Sequence, residues 1–163
     1  MPQRWSFALA FVLAVGCGGP QFDGRTYRNE SLAFRVGPIP AGWRQLEAKH
    51  ALLAFRDDAT SATIGVGGRC GKDGDDVPLE SLTHHLFIHF TERDVESQEH
   101  LSLDGRDALR TQMLAKLDGV PKRFTVYVLK KDGCVYDLLH IADTNGGGQS
   151  QFDSFAAGFR TLE

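Results

Sequence analysis

His84, His85 and His89 crowd into "PLESLTHHLFIHFTER" (78–93). His85 and His89 stand four positions apart, the spacing at which two imidazoles on one helix can share a metal ion. A zinc-protease pattern would place glutamate directly after His85, where this chain has Leu86. No third ligand follows from the spacing. His85 and His89 therefore read first as histidines at the boundary of an apolar face, and no cofactor is expected. Asp73, Asp75, Asp76 and Glu80 follow Cys70 on a polar stretch. Carboxylates on a loop suit calcium, but their spacing, and the position of the glycine among them, is not that of an EF-hand. They read as a solvated loop that leads into an acidic helix start.

Covalent catalysis finds no foothold. No Gly-x-Ser-x-Gly element marks a nucleophile elbow. "GVGGRCG" (65–71) is glycine-rich, yet it lacks the Lys-Ser/Thr ending of a phosphate loop and no helix follows at once. Gly65, Gly67 and Gly68 read instead as sites of a bulge or of close packing. The expectation is a protein that is not an enzyme.

The start of the chain carries different chemistry. Met1 to Arg4 is short and basic, Trp5 to Val15 is apolar apart from Ser6, and Gly16-Cys17-Gly18-Gly19 stops the run abruptly. A basic start, a short apolar core and a small residue before a cut is the layout of a secretory signal. The stretch Leu13-Ala14-Val15-Gly16-Cys17 resembles the lipobox of bacterial lipoproteins. That resemblance implies cleavage before Cys17, acylation of its thiol and new amine, and a membrane anchor at Cys17. Glycine rather than aspartate after Cys17 implies, by the enterobacterial sorting rule, the outer membrane facing the periplasm. A secreted soluble form is the alternative. The implied division is a signal peptide over 1–16, a lipid-anchored tether over 17–24, and a single domain over 25–163. Two or more acyl chains hold a protein stably where one does not. The tether spans at most ~25 Å when extended, so the domain and its partners would sit near the membrane surface.

With Cys17 assigned to lipid, Cys70 and Cys134 remain. An even pair in an exported chain reads as one disulfide. The alternatives are free thiols or a redox or metal pair, for which a Cys-x-x-Cys spacing is absent. The bond would set the strand near residue 70 beside a strand that starts at 134.

The elements that must position these residues are mostly strands. "LAFRVG" (32–37) alternates, "RQLEAKHALLAFRDD" (44–58) reads as a hairpin turning near Lys49-His50, and "SATIGVGGRC" (61–70) as a further strand. Leu79, Leu82, Leu86 and Phe90 then mark one face of a helix over 78–93, with Pro78 and Glu80 suited to its first turn. Asp-Gly pairs at 104–105, 118–119 and 132–133 are strong hairpin signals. They predict an antiparallel meander of four strands. Its last two strands are apolar on both faces, as central strands covered from both sides are. After the break "NGGGQ" (145–149), Phe152, Phe155, Ala156 and Phe159 fall at helical spacing, a stripe that reads as core. The sum is an α+β domain: a twisted antiparallel sheet of hairpin strands and a four-strand meander, with one mid-chain helix and one C-terminal helix.

"YRNESLAFRVGPIPAGWRQLE" (27–47), with its Pro40-Ala41-Gly42-Trp43 element, resembles the opening of PsbP-like and Mog1-like domains. The order of elements over 25–160 resembles theirs too. The resemblance implies an assembly or binding factor, and it supplies no site residues for this chain.

The chain has 163 residues, 42% hydrophobic and 24% charged, with a net charge of −3 spread evenly. That length suits one domain with its own core. The absence of a basic stripe excludes a nucleic-acid surface. No stretch after residue 16 approaches the ~20 apolar residues of a spanning helix. The function expected is a non-enzymatic envelope lipoprotein that binds another envelope protein. The alternative is an envelope module for a small ligand or metal.

Overall fold

The computed structural model describes residues 19–71 and 76–162. Cys17 and the segment read as a signal peptide lie outside the described residues, as do Asp73 and Asp75. The chain begins with short strands: β1 (Gln21–Phe22), β2 (Thr26–Arg28), β3 (Ala33–Arg35), β4 (Arg44–Leu46) and β5 (Leu53–Asp57). A longer strand, β6 (Ala62–Cys70), precedes helix α1 (Leu79–Leu86). The meander follows as β7 (Thr91–Leu103), β8 (Arg106–Leu117), β9 (Val120–Lys131) and β10 (Cys134–Asp143). Helix α2 (Gln149–Ala157) and β11 (Arg160–Leu162) close the described chain.

The meander is built by its turns. Asp104, Asp118 and Asp132 have φ of 52°, 51° and 53°, and the glycines after them 70°, 80° and 73°. Both central residues lie in the left-handed region, which defines the type I′ turn whose twist matches the flanking strands. Strands β4-β5-β6-β10-β9-β8-β7 form one antiparallel seven-stranded sheet in that order. Cys134 faces Cys70 in the β10–β6 register, and the two are joined by a disulfide.

Alternation along the central strands sends side chains into two cores. On β9, Phe124, Val126 and Val128 join Leu79 and Leu82 of α1 on one face. Tyr127 and Leu129 point to the other, where Phe152 and Phe155 of α2 and Phe34 of β3 cover the sheet. Phe34 stacks on Tyr27 at 5.0 Å and meets Phe159 at 5.6 Å. The C-terminal phenylalanines are thus core, fully buried.

Several sequence expectations are corrected. The helix expected over 78–93 ends at Leu86. Phe87 and Phe90 both pack edge-on against Phe124, at 5.5 and 5.0 Å. The chain after them is drawn into a long ladder with β8, and tertiary pairing overrides the helical period. Helix α2 stops at Ala157, so Phe159 lies beyond it, ahead of β11. Strands β1, β2, β3 and β11 form a second, four-stranded sheet that the sequence reading did not separate. Because β1 pairs with β2 from Gln21 onward, the fold also takes in residues assigned to the tether. The β6–β10 register runs without a shift, so no bulge forms there; Gly67 and Gly68 serve close packing, whereas a Cβ on Gly65 would meet nothing within 4 Å. A Cβ on Gly67 would stand 2.5 Å from the Asp137 carboxylate, its cross-strand neighbour.

Candidate functional site

Helix α1 starts at Pro78, whose extended ψ of 149° suits the residue just before a helix. Leu79, Leu82 and Thr83 face inward, and the Thr83 hydroxyl donates to the Leu79 carbonyl at 2.8 Å. The helix therefore lies flat on β8 and β9 and leaves a cleft toward the edge strand β7. This cleft has a volume of about 530 Å³, within the range of small-molecule sites. Phe87, Val95 and Met113 make its apolar floor, with Thr111 bonded to Gln98 at 3.1 Å beside them.

The two ends of the cleft differ in charge. At the C-terminal end of α1, Arg93 donates to the Phe87 carbonyl and to His84 Nε2, each at 3.3 Å. Arginine can only donate, so His84 Nε2 is the acceptor in this contact. Among the described residues Arg93 has no carboxylate partner. At the other end His100 lies between two acids: Nδ1 is 2.9 Å from Asp107 and Nε2 is 3.2 Å from Glu80. Asp107 first, and then Glu80, raise the His100 pKa above its ordinary value.

The sequence candidates are placed as follows. His85 and His89 are both exposed. The helix ends between them, so they do not share a helical face and the metal-pair geometry is lost. Among the described residues no cluster of three or more metal-ligating side chains forms. Glu80 is engaged with His100, and Asp76 is exposed. Arg93, Val95 and His100, which shape the cleft and its polar end, were not singled out by sequence reading. Their one local signal is Val95 itself, the sole large aliphatic side chain in the exposed run 91–100.

The sequence matches no protein-family model and no curated protein. Solved structures do resemble the chain. Cyanobacterial PsbP from Synechocystis sp. PCC 6803 superposes with a TM-score of 0.59 at 15% identity, over 94% of this chain and 99% of that one. The fold is PsbP-like. LpqN of Mycobacterium tuberculosis, involved in cell envelope biogenesis, gives 0.56 at 14% identity, over 88% of this chain and 90% of its own. A Bacteroides thetaiotaomicron protein gives 0.54 at 10% identity over 80% of this chain, which spans only 45% of that longer protein. Identities this low convey the fold alone.

On this PsbP-like fold the two ends of the large sheet are unlike. One end carries the disulfide and the Asp104 and Asp132 turns. Pro20 and Phe22 line a cleft with Leu46 at the end of β4 and Leu52 of the β4–β5 connection, which also lies toward that end. The chain therefore enters the fold on the disulfide side. The opposite end carries the Asp118 turn and the start of β7, where Thr91 pairs with Lys116. Among the described residues, the exposed large hydrophobics are Ile88, Val95 and Val120, each 52% exposed. Ile88 and Val120 sit at that far end, and Val95 lies toward it. The outer edge of β7 is interspersed with charges and broken by register shifts at Thr91/Asp94 and Val95/Ser97, features that discourage another strand from adding.

A second cleft, under α2, is lined by Leu103, Asp104, Tyr127, Asp153 and Arg160. Its polar groups are committed to each other. Tyr127 donates to Asp153 at 2.9 Å and accepts from Arg110 at 3.0 Å. Burial first, with Asp153 assisting, pushes the Tyr127 pKa up to about 12. No described helix is long and apolar enough to cross a membrane.

Proposed function

We propose that this chain is a non-enzymatic module of the bacterial cell envelope, lipid-anchored at Cys17 in the outer membrane and facing the periplasm, that binds another envelope protein. One observation carries the reading. The half-exposed Ile88, Val95 and Val120 gather toward the sheet end away from the side where residues 20–22 join the fold. Exposed apolar side chains that cluster mark contact surfaces more often than scattered ones do. A domain tethered on one side presents its opposite end to partners. The Leu13–Cys17 pattern supports the anchor. The fold shared with an envelope-biogenesis protein is consistent with the compartment.

The test places a photo-crosslinking residue at Val120, and separately at His50 on the tether side, in the full chain in cells. The expected result is one discrete adduct from Val120, none from His50, and loss of the adduct when Ile88→Asp is added. Equal labelling from both ends, or a diffuse smear, would overturn the binding surface. Intact mass of the membrane-extracted protein tests the anchor independently. A chain that begins at Cys17 and carries acyl groups is expected, and an unacylated chain in the soluble fraction would overturn it.

A further inference from the structure

We infer that the cleft between α1 and β7–β8 binds a small amphiphile with a carboxylate head and a short apolar body, its head at Arg93. The inference goes beyond the protein-binding surface proposed above, with which it shares the Val95 side chain, and it does not rest on the lipid anchor.

Charge complementarity selects the head group. The acids of β7 are mostly spoken for: Glu92 pairs with Lys116, Glu96 with Arg123 and Glu99 with Arg110. Arg93 stands apart: among the described residues its only bonds run from NH1 to a carbonyl and to a histidine that accepts. Its guanidinium fork therefore keeps donors for an incoming anion, and a planar carboxylate matches that fork. At the other end, Glu80 and Asp107 share His100, whose two ring nitrogens each meet a carboxylate. A cationic head would have to compete with His100 there.

The floor selects the body. Phe87, Val95 and Met113 provide an apolar surface next to Arg93, and polarity returns at Gln98 and Thr111. Asp94 pairs with Leu114 and His100 with Leu109. The run from the Arg93 end to the His100 end thus covers the five steps of β8 from Leu109 to Leu114, roughly 17 Å at strand rise. A medium-chain carboxylate such as octanoate is shorter than that run, so with its head at Arg93 its tail lies on Val95 and Met113 and stops before the His100 cluster. A long acyl chain would meet the His100 cluster. Val95 also gains a reason for its place in the otherwise polar run 91–100: it is the outer wall of this floor.

The experiment uses the full chain carrying Cys17→Ser, so that neither detergent nor lipid competes for the probe. Methyl resonances of Met113 and Val95 are followed by NMR during titration with octanoate, octanol and octylamine. Octanoate is expected to shift both methyls saturably, with octanol and octylamine at least ten-fold weaker. Arg93→Gln should erase the difference between octanoate and octanol, and Arg93→Lys should fall between. Val120→Asp, which acts on the proposed protein-binding end, should leave octanoate affinity unchanged. Absence of saturable shifts at Met113 and Val95, equal affinity for the three probes, or an unaltered Arg93→Gln profile would each overturn the assignment.

Discussion

Asp104 and Thr161 are joined twice across 57 positions of sequence: Asp104 Oδ2 accepts from the Thr161 backbone N–H and from its hydroxyl, both at 2.9 Å. The same oxygen takes Lys131 Nζ at 2.8 Å. A residue whose type and position announce a hairpin turn also clamps the last strand, β11, to the large sheet. That second role explains why its side chain is only 9% exposed, although the turn aspartates at 118 and 132 are exposed.

Removing this clamp should be costly. Asp104→Ala takes the carboxylate from the Lys131 ammonium, which keeps only the residue-104 carbonyl, and from two Thr161 donors, and it is expected to lose about 2–4 kcal/mol. Burial alone would raise the Asp104 pKa, but Lys131 and the Thr161 donors outweigh it and the net direction is down. A carboxyl held low in the folded state stabilises above its unfolded pKa and loses that contribution as pH falls through its folded value. Urea unfolding at neutral pH should therefore separate wild type from Asp104→Ala widely, and the gap should narrow in acid below the ordinary aspartate range. An unchanged gap at acid pH would mean that the carboxylate charge is not what holds β11.

The Cys70–Cys134 bond closes a separation of 64 residues. In the chain-entropy account such a loop is worth ~4 kcal/mol. The double variant Cys70→Ser, Cys134→Ser should retain the fold, because β6 and β10 are paired along their length, and unfold at a markedly lower urea midpoint. Adding reductant to wild type should reproduce that midpoint. A reductant-insensitive midpoint would show that the pairing alone fixes the register.

Two glycines let α2 meet β3 backbone to backbone. A Cβ on Gly158 would fall 2.3 Å from Gly37 Cα, and one on Gly37 would fall 2.5 Å from the Ser154 carbonyl oxygen. Neither neighbour is a flexible side-chain tip, so the backbones must separate. Gly158→Ala is expected to cost about 1–3 kcal/mol, as overpacked cores do. Gly147→Ala, with its nearest contact at 3.6 Å, should be near neutral. Thermal unfolding of the two variants side by side checks the contrast.

The parts of this fold legible in sequence were those carried by local chemistry. Asp-Gly pairs need only their own backbone to turn, and all three turn as read. The central strands revealed themselves because Phe124 to Leu129 is apolar on both faces. What escaped depends on distant partners. The period of Leu79, Leu82, Leu86 and Phe90 continues past the true helix end, and only Phe124, 34 positions after Phe90 in the chain, decides that Phe90 leaves the helix. Strands of two or three residues such as β1, β2 and β11 are too short to show alternation. The cleft escaped for both reasons. Arg93 lay at the end of the expected helix and Val95 just past it, and His100 gains its meaning only when folding sets it between Glu80 and Asp107.

His140 offers a last test, because it is buried where a histidine has little to gain. It is 2% exposed, stacks on Phe152 at 5.3 Å, and lies 6.4 Å from Trp43. Neither ring nitrogen has a hydrogen-bond partner among the described residues. Burial lowers its pKa, with Gln149 and Asp153 opposing more weakly. The unfolded chain therefore takes up a proton near pH 6.5 that the folded chain refuses, and stability falls as pH drops from about 7 toward the depressed folded value. Above that window the group has no pH effect. His140→Phe keeps a ring against Phe152 and removes both orphaned nitrogens. It should match or exceed wild type at neutral pH, and it should flatten the stability profile between pH 7 and the acid side of that window. Carboxylates such as Asp104 titrate lower, so their contribution is separable in the same urea series. A wild-type profile already flat through this range, or one that His140→Phe leaves unchanged, would mean that the ring finds a proton-stabilising partner when it charges, and Gln149 and Asp153 at the start of α2 are the groups placed to provide it.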